Sequence, residues 1–320
     1  MSKRDETVEI HIASRKAFYC NVKVVLIFLV IYGHLIETRI DDSVILMWQY
    51  RLIYAVHMPL FALVSGMFLK TKETCIAQMK SALKYYLICQ MIYIAVSFLM
   101  GNKQASFFVP YWHLWYLLSL SFWALICRLT AGIKRKTIRV MLILIGIVIA
   151  CICGNADYIG RFLSLSRTIC FLPYVLLGQM LPIDTGFSDY KIESGIAGIV
   201  SLIVLLIIAP LLPVEFFWQA TSYEATQAIF GEGFRTVSYV IAFGLSFLLL
   251  AVIPTKRLIF SKAGTDTLWV YLLHGPIVRV LRDIDIKLDY FVIFAPITAV
   301  AVYFMLYELC RWKNKWCKIT

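Results

Sequence analysis

Ten stretches of this chain are long and almost wholly apolar, at about 20–37, 48–68, 81–100, 113–130, 137–153, 167–182, 192–212, 235–253, 265–282 and 289–310. Each approaches the roughly 20 apolar residues that a helix needs to cross a bilayer. In hydrocarbon every backbone N–H and C=O must find its partner within the segment, which makes such runs helices. Composition agrees: 61% of the 320 residues are hydrophobic, 16% are charged, and the mean hydropathy is +0.80. The connections leave no room for a soluble domain. The expected fold is an all-α polytopic membrane protein of about ten transmembrane helices. Its expected parts are a cytoplasmic N-terminal segment (1–19), one ten-helix domain (20–310) and a basic cytoplasmic tail (311–320).

Charge orients the spans. With the N-terminus in the cytoplasm, 21 of the 31 Lys and Arg fall on inside segments and eight outside, while Lys23 and Arg51 lie within spans. That asymmetry follows the positive-inside rule and places both termini in the cytoplasm. Basic loops beside anionic lipid account for the net charge of +12, so no nucleic-acid partner is expected. The first apolar run holds Lys23 and His34 and lacks a small-x-small cleavage site, so it is expected to be retained as a span. The nine cysteines are scattered without a CxxC pair, and no metal site is expected. Trp48, Trp115, Trp312 and Trp316 fall near span ends, as interfacial aromatics do. There is no internal repeat.

The five histidines stand out against this background. Only His11 lies clearly outside the spans, whereas His34, His57, His113 and His274 lie within or at the mouth of spans one, two, four and nine. At about 1.5 Å of rise per residue, all four fall in the middle or outer half of the bilayer. Ionisable groups at that depth are costly unless they face a cavity or a partner. Two of them belong to His-x-Pro sites, His57 with Pro59 and His274 with Pro276. Each proline removes the N–H partner of a carbonyl four residues back, Ala55 or Leu272. Both sites are expected to bend their helices around one polar chamber.

Span one adds a second constraint. Lys23 and His34 are eleven residues apart, about 20° from three full turns, so they share a face with about 16 Å between them along the axis. Lys23 either snorkels to lipid phosphate or holds a phosphorylated ligand whose far end reaches His34. Glu37 follows His34 at the third position, where it can orient the ring.

Lys23 and the four span histidines sit in four of five blocks: Asn21–His34 (NVKVVLIFLVIYGH), Ile53–Gly66 (IYAVHMPLFALVSG), His113–Leu117 (HLWYL), Arg167–Gly178 (RTICFLPYVLLG) and Trp269–Pro276 (WVYLLHGP). Together and in this order, they resemble integral-membrane acyltransferase family three, in particular its fucose 4-O-acetylase-like and polysaccharide O-acetyltransferase branch. Many members carry arginine where this chain has Lys23; lysine keeps the cation but not the bidentate fork.

The resemblance implies transfer of an acyl group, usually acetyl from cytoplasmic acetyl-CoA, to a hydroxyl of a cell-surface or lipid-linked glycan. It places the protein in a bacterial inner or plasma membrane. Acetyl-CoA enters as a co-substrate, with no permanently bound cofactor. A sugar hydroxyl needs a positioned base, and His34, oriented by Glu37, is the expected one. His57 and His274 would complete the chamber. Arg167 would offer a cation to the developing oxyanion, Lys23 would hold CoA phosphates, and His113, Trp115 and Trp218 would meet the acceptor. Trp218 belongs to the long outside connection 213–234, an acceptor lid with hinges at Gly231 and Gly233 or else an interfacial segment. Acetyl and larger acyl groups both stay open, as do direct transfer and an acyl-histidine intermediate. The reading from another class is a ten-span solute carrier with a polar midplane site, against which stands the absence of repeated halves.

Overall fold

Every predicted span falls on a helix. The computed structural model describes residues 3–99, 101, 105–157, 159–183 and 190–316, with side chains from 12 to 312. Its helices are α1 (Lys3–Ile36), α2 (Val44–Phe68), α3 (Lys72–Leu99), α4 (Trp115–Thr130), α5 (Lys136–Cys153), α6 (Leu165–Met180), α7 (Lys191–Ile208), α8 (Gly231–Val252), α9 (Thr267–Arg282) and α10 (Leu288–Trp316). The remaining elements are short 3-10 turns, and no strand occurs among the described residues. The side chains of His11 and Trp316 and the terminal Lys and Arg of the charge count lie outside the described residues.

The first and last helices extend beyond their apolar cores. α1 begins at Lys3, so the charged segment before residue 20 continues the helix of the first span, and α10 runs on to Trp316. Among the described residues, eight helices are long and apolar enough to cross a membrane. The two others, α4 and α9, have 16 residues each, about 24 Å of rise against a hydrocarbon core of about 30 Å. The protein is therefore a multi-pass helical membrane protein.

The chain forms two compact units whose boundaries fall inside α2, α7 and α8. The first comprises Met1–His57, Asp184–Ile199 and Leu245–Thr320; the second comprises Met58–Ile183 and Val200–Gly244.

In the first unit α1 packs on α9, α10 and the 3-10 turn Ile259–Gly264. Asn21 fastens that turn and the residues before it. Its Nδ2 donates to the carbonyls of Pro254 (2.8 Å) and Lys256 (3.0 Å), and its Oδ1 accepts from Ser261 (2.5 Å). Gly264 allows the approach, since a Cβ there would lie 2.3 Å from the Cys20 carbonyl oxygen.

In the second unit α4 packs on α3 and α6, and α5 packs on α6. Where α2 and α6 cross, Cβ atoms on Gly66 and Gly178 would lie 2.0 Å from the Val175 carbonyl and 1.9 Å from the Leu63 carbonyl. This is the small-residue contact that lets membrane helices approach backbone to backbone. The last carbonyls of a helix lack intrahelical partners. Those of α6 and the residue after it are met by Lys70, whose Nζ donates to Gln179 (2.7 Å), Gly178 (3.2 Å) and Leu181.

Candidate active site

Three of the four intramembrane histidines gather in the first unit. The rings of His34 on α1 and His274 on α9 stack at 5.6 Å between centroids, tilted by 17°. Tyr54 on α2 links His34 to His57: its hydroxyl lies 3.4 Å from His34 Nδ1, and its ring meets the His57 ring edge-on at 4.7 Å. Glu37 Oε2 lies 3.5 Å from the same His34 nitrogen. With Nδ1 turned toward a carboxylate and a phenol, Nε2 is the ring nitrogen that points away from them.

A second layer holds this arrangement. His34 lies in the last turn of α1, where its carbonyl has no partner within the helix. Arg282, at the end of α9, donates Nε to that carbonyl (2.6 Å) and Nη2 to both the carbonyl and Glu37 Oε2. One guanidinium thus fixes the backbone of His34 and the carboxylate beside its ring, a fork that lysine lacks.

His57 and His274 are held differently. Nδ1 of His57 donates to the Ile53 carbonyl (2.7 Å), and Nδ1 of His274 donates to the Tyr271 carbonyl (2.5 Å). A carbonyl only accepts, so Nδ1 carries the proton in both rings and Nε2 is the acceptor. These bonds go one turn back to Ile53 and Tyr271, and not to the Ala55 and Leu272 carbonyls that Pro59 and Pro276 leave without a donor. Both rings are buried, His57 at 3% exposure and His274 at 0%, whereas the His34 side chain is 13% exposed. Among these three, His34 is the least buried. Lys23 is half-buried earlier on α1.

The other expected site residues belong to the second unit. The Arg167 guanidinium lies over the Trp115 ring, 4.8 Å from its centroid, and its Nε donates to the Trp218 carbonyl (3.0 Å). Arg167, Trp115 and Trp218 are therefore neighbours. His113 is buried in the 3-10 turn Trp112–Leu114 that leads into α4, edge-on to Tyr93 at 5.9 Å. The backbone around this group is strained: Trp112 (φ 29°), Leu163 (47°), Ser164 (57°) and Gln219 (56°) all adopt positive φ. Such conformations cost of order 1–3 kcal/mol each and concentrate at functional sites.

The connection 213–230 is pinned into the second unit. Val214–Trp218 form a 3-10 turn, Ser166 donates to the Gln219 carbonyl (2.8 Å), and the Tyr223 N–H donates to the Gly154 carbonyl (2.7 Å). Arg235, 1% exposed, donates to Gln219 Oε1, to the Tyr223 hydroxyl (3.2 Å) and to Cys170 Sγ (3.0 Å). Gly231 and Gly233, read from the sequence as hinges, lie in a helix and not in the connection. Both belong to the first turn of α8, and a Cβ on Gly231 would fall 2.2 Å from the Tyr223 ring.

The sequence model of the family described as an acyltransferase domain matches residues 19–307. The chain belongs to acyltransferase family 3. No curated protein and no solved structure matches it. Both units of this membrane acyltransferase lie largely inside the matched region, and so do all nine expected site residues.

Three residues of the acyltransferase escape sequence reading. Tyr54 was within reach, because it stands three positions before His57 on one helix and inside the quoted block. Arg282 and Arg235 were not. Each sits at a span end, where the positive-inside count treats it as an outside charge, and each finds its partners only through tertiary contacts.

Proposed function

We propose that the acyltransferase moves an acetyl group from acetyl-CoA to a hydroxyl of a cell-surface polysaccharide or lipid-linked glycan at a bacterial cell membrane. The observation that carries this reading is the reachable imidazole of His34, fixed by Glu37, Tyr54 and Arg282 within an acyltransferase family match. In the proposed step Nε2 of His34 takes the proton of the sugar hydroxyl as its oxygen attacks the thioester carbonyl. The tetrahedral adduct collapses, the C–S bond breaks, and the CoA thiolate recovers the proton from the imidazolium. Glu37 stabilises that imidazolium, which a neutral partner would not do. Positioned bases of this kind contribute about 10²–10⁴-fold.

Lys23 is assigned to the phosphate end of the donor. His57 and His274 present acceptor nitrogens beside His34 that orient the reacting groups. In the second unit, Arg167 with Trp115 and Trp218 offers the pairing that sugars favour, flat aromatic faces beside a fixed hydrogen-bond donor. We assign that group and His113 to the glycan.

The test compares surface glycans of cells that carry or lack the protein for base-labile acetyl esters. It also follows CoA thiol release by the purified protein given acetyl-CoA and the unmodified glycan. Esters that require the protein, with release of thiol, support the reading. Glycans of identical ester content, with no thiol released, overturn it.

A further inference from the structure

At the N-terminal end of the apolar part of α1, the first unit holds a cavity of about 600 Å³ between residues 13–20 and 255–265. Four cations line it, Lys16, Lys256, Arg257 and Lys262, together with hydroxyl residues that include Ser14 and Thr265. No Asp or Glu is among the lining residues. All four cations are exposed, so they present a positive potential at the mouth of the concavity, which attracts an anion. The volume lies within the range of about 300–1,000 Å³ usual for small-ligand sites.

The far wall is built and not merely draped. Asn21 binds the carbonyls of Pro254 and Lys256, Ser261 is tied to Asn21 and to the Leu258 N–H, and Ser14 donates to the Thr255 carbonyl (3.3 Å). These bonds fix the backbone that carries Lys256 and Arg257 before any ligand arrives. Preorganisation of this kind lowers the entropic cost of binding.

We propose that this cavity is a phosphate-binding site of the first unit, occupied by the nucleotide phosphates of a phosphorylated acyl donor. The inference rests on the acyl-CoA reading for the ligand's identity but not for its phosphate chemistry. An anionic lipid headgroup offers the same groups. The geometry along α1 favours the donor. Cys20, on the cavity wall, precedes His34 by 14 residues, about 21 Å along the helix. A ligand with phosphates here therefore reaches His34 only through a long, thin arm, as in CoA. Lys23, one turn nearer His34, meets the phosphates where that arm begins.

The experiment uses the full-length protein in nanodiscs of neutral phosphatidylcholine, with adenosine 3′,5′-bisphosphate and acetyl-CoA as soluble probes. Binding of both is expected, weakened about tenfold or more by the double substitution Lys256→Ala with Arg257→Ala and unchanged by Lys191→Ala. In the second arm, the protein is incubated with vesicles containing phosphatidic acid. If those lipids are retained and the nucleotides are not, with the same dependence on Lys256 and Arg257, the phosphate site stands and its source is lipid. Phosphate binding indifferent to both substitutions, in protein of unchanged melting temperature, overturns the proposal. Should the double variant fail to fold, Lys262→Glu at an exposed position replaces it. The same titration in His34→Ala keeps the two proposals apart: that variant is expected to bind the probes normally, whatever its transfer rate.

Discussion

At His34 the chemistry depends on which ring nitrogen faces the substrate. Glu37 at 3.5 Å and the Tyr54 hydroxyl at 3.4 Å both address Nδ1; a carboxylate favours a proton there, and the proposed step then uses the lone pair of Nε2. Replacing His34 with Ala is expected to lower transfer by at least about 100-fold, the lower end of what a positioned base supplies, with the protein still at normal abundance in the membrane. Retention of wild-type turnover would remove His34 from the mechanism. Arg282 acts through the two residues it holds, so its substitution carries a different signature. Arg282→Ala should reduce kcat by about tenfold with little change in the KM for acetyl-CoA, and Glu37→Gln should do the same, because both alter the orientation and charge of the base and not donor binding. Arg282→Lys restores the charge without the fork and should recover part of the loss. A fall in membrane abundance that tracks the lost rate would instead mark Arg282 as a structural residue.

Among the helices, the crossing of α2 and α6 shows what motif glycines do. Gly66 closes the block that contains His57, and Gly178 closes the block that begins at Arg167. Each lies against the other helix's backbone, with no room for a Cβ. Gly66→Ala and Gly178→Ala are each expected to destabilise the purified protein by about 1–3 kcal/mol, the usual cost of overpacking, seen as a lower melting temperature. Gly132→Ala, where a Cβ meets nothing within 4 Å, should be nearly neutral. The ten helices were legible in the sequence because an apolar run near 20 residues has one good solution in lipid. His34, Glu37, His57 and His274 were legible because ionisable groups at membrane depth demand partners. The partners themselves were not. That Gly66 meets Val175, or that Arg282 meets Glu37 across 245 residues, is decided by how helices pack, and helix periodicity carries no record of it. Gly231 shows the same gap: a glycine between a loop and a helix signals either freedom or a close neighbour, and here the Tyr223 ring is a close neighbour.

For the whole molecule, the two proposals place different work at two separate points along α1. The basic cavity includes Lys16, 13 residues beyond the start of α1, and His34 stands in the last turn of that helix. Eighteen residues separate them, about 27 Å of rise, nearly the thickness of a hydrocarbon core of about 30 Å. The excess of Lys and Arg on the segments assigned to the inside leads us to propose that the cavity end faces the cytoplasm and His34 the outer side. A donor that binds at the cavity must then deliver its acyl group across most of the membrane without crossing it whole. In sealed right-side-out vesicles, labelled acetyl-CoA trapped in the lumen should acetylate glycan supplied outside, whereas the same donor added outside should not. Orientation is checked in parallel. A single cysteine at Ser43→Cys, in a background whose native cysteines are replaced, should react with an impermeant maleimide added outside, and one at Lys134→Cys only after the vesicles are opened. Transfer from donor added to intact vesicles, with Ser43→Cys labelled as expected, would refute a cytoplasmic donor site and leave His34 to act on substrates that arrive from one face.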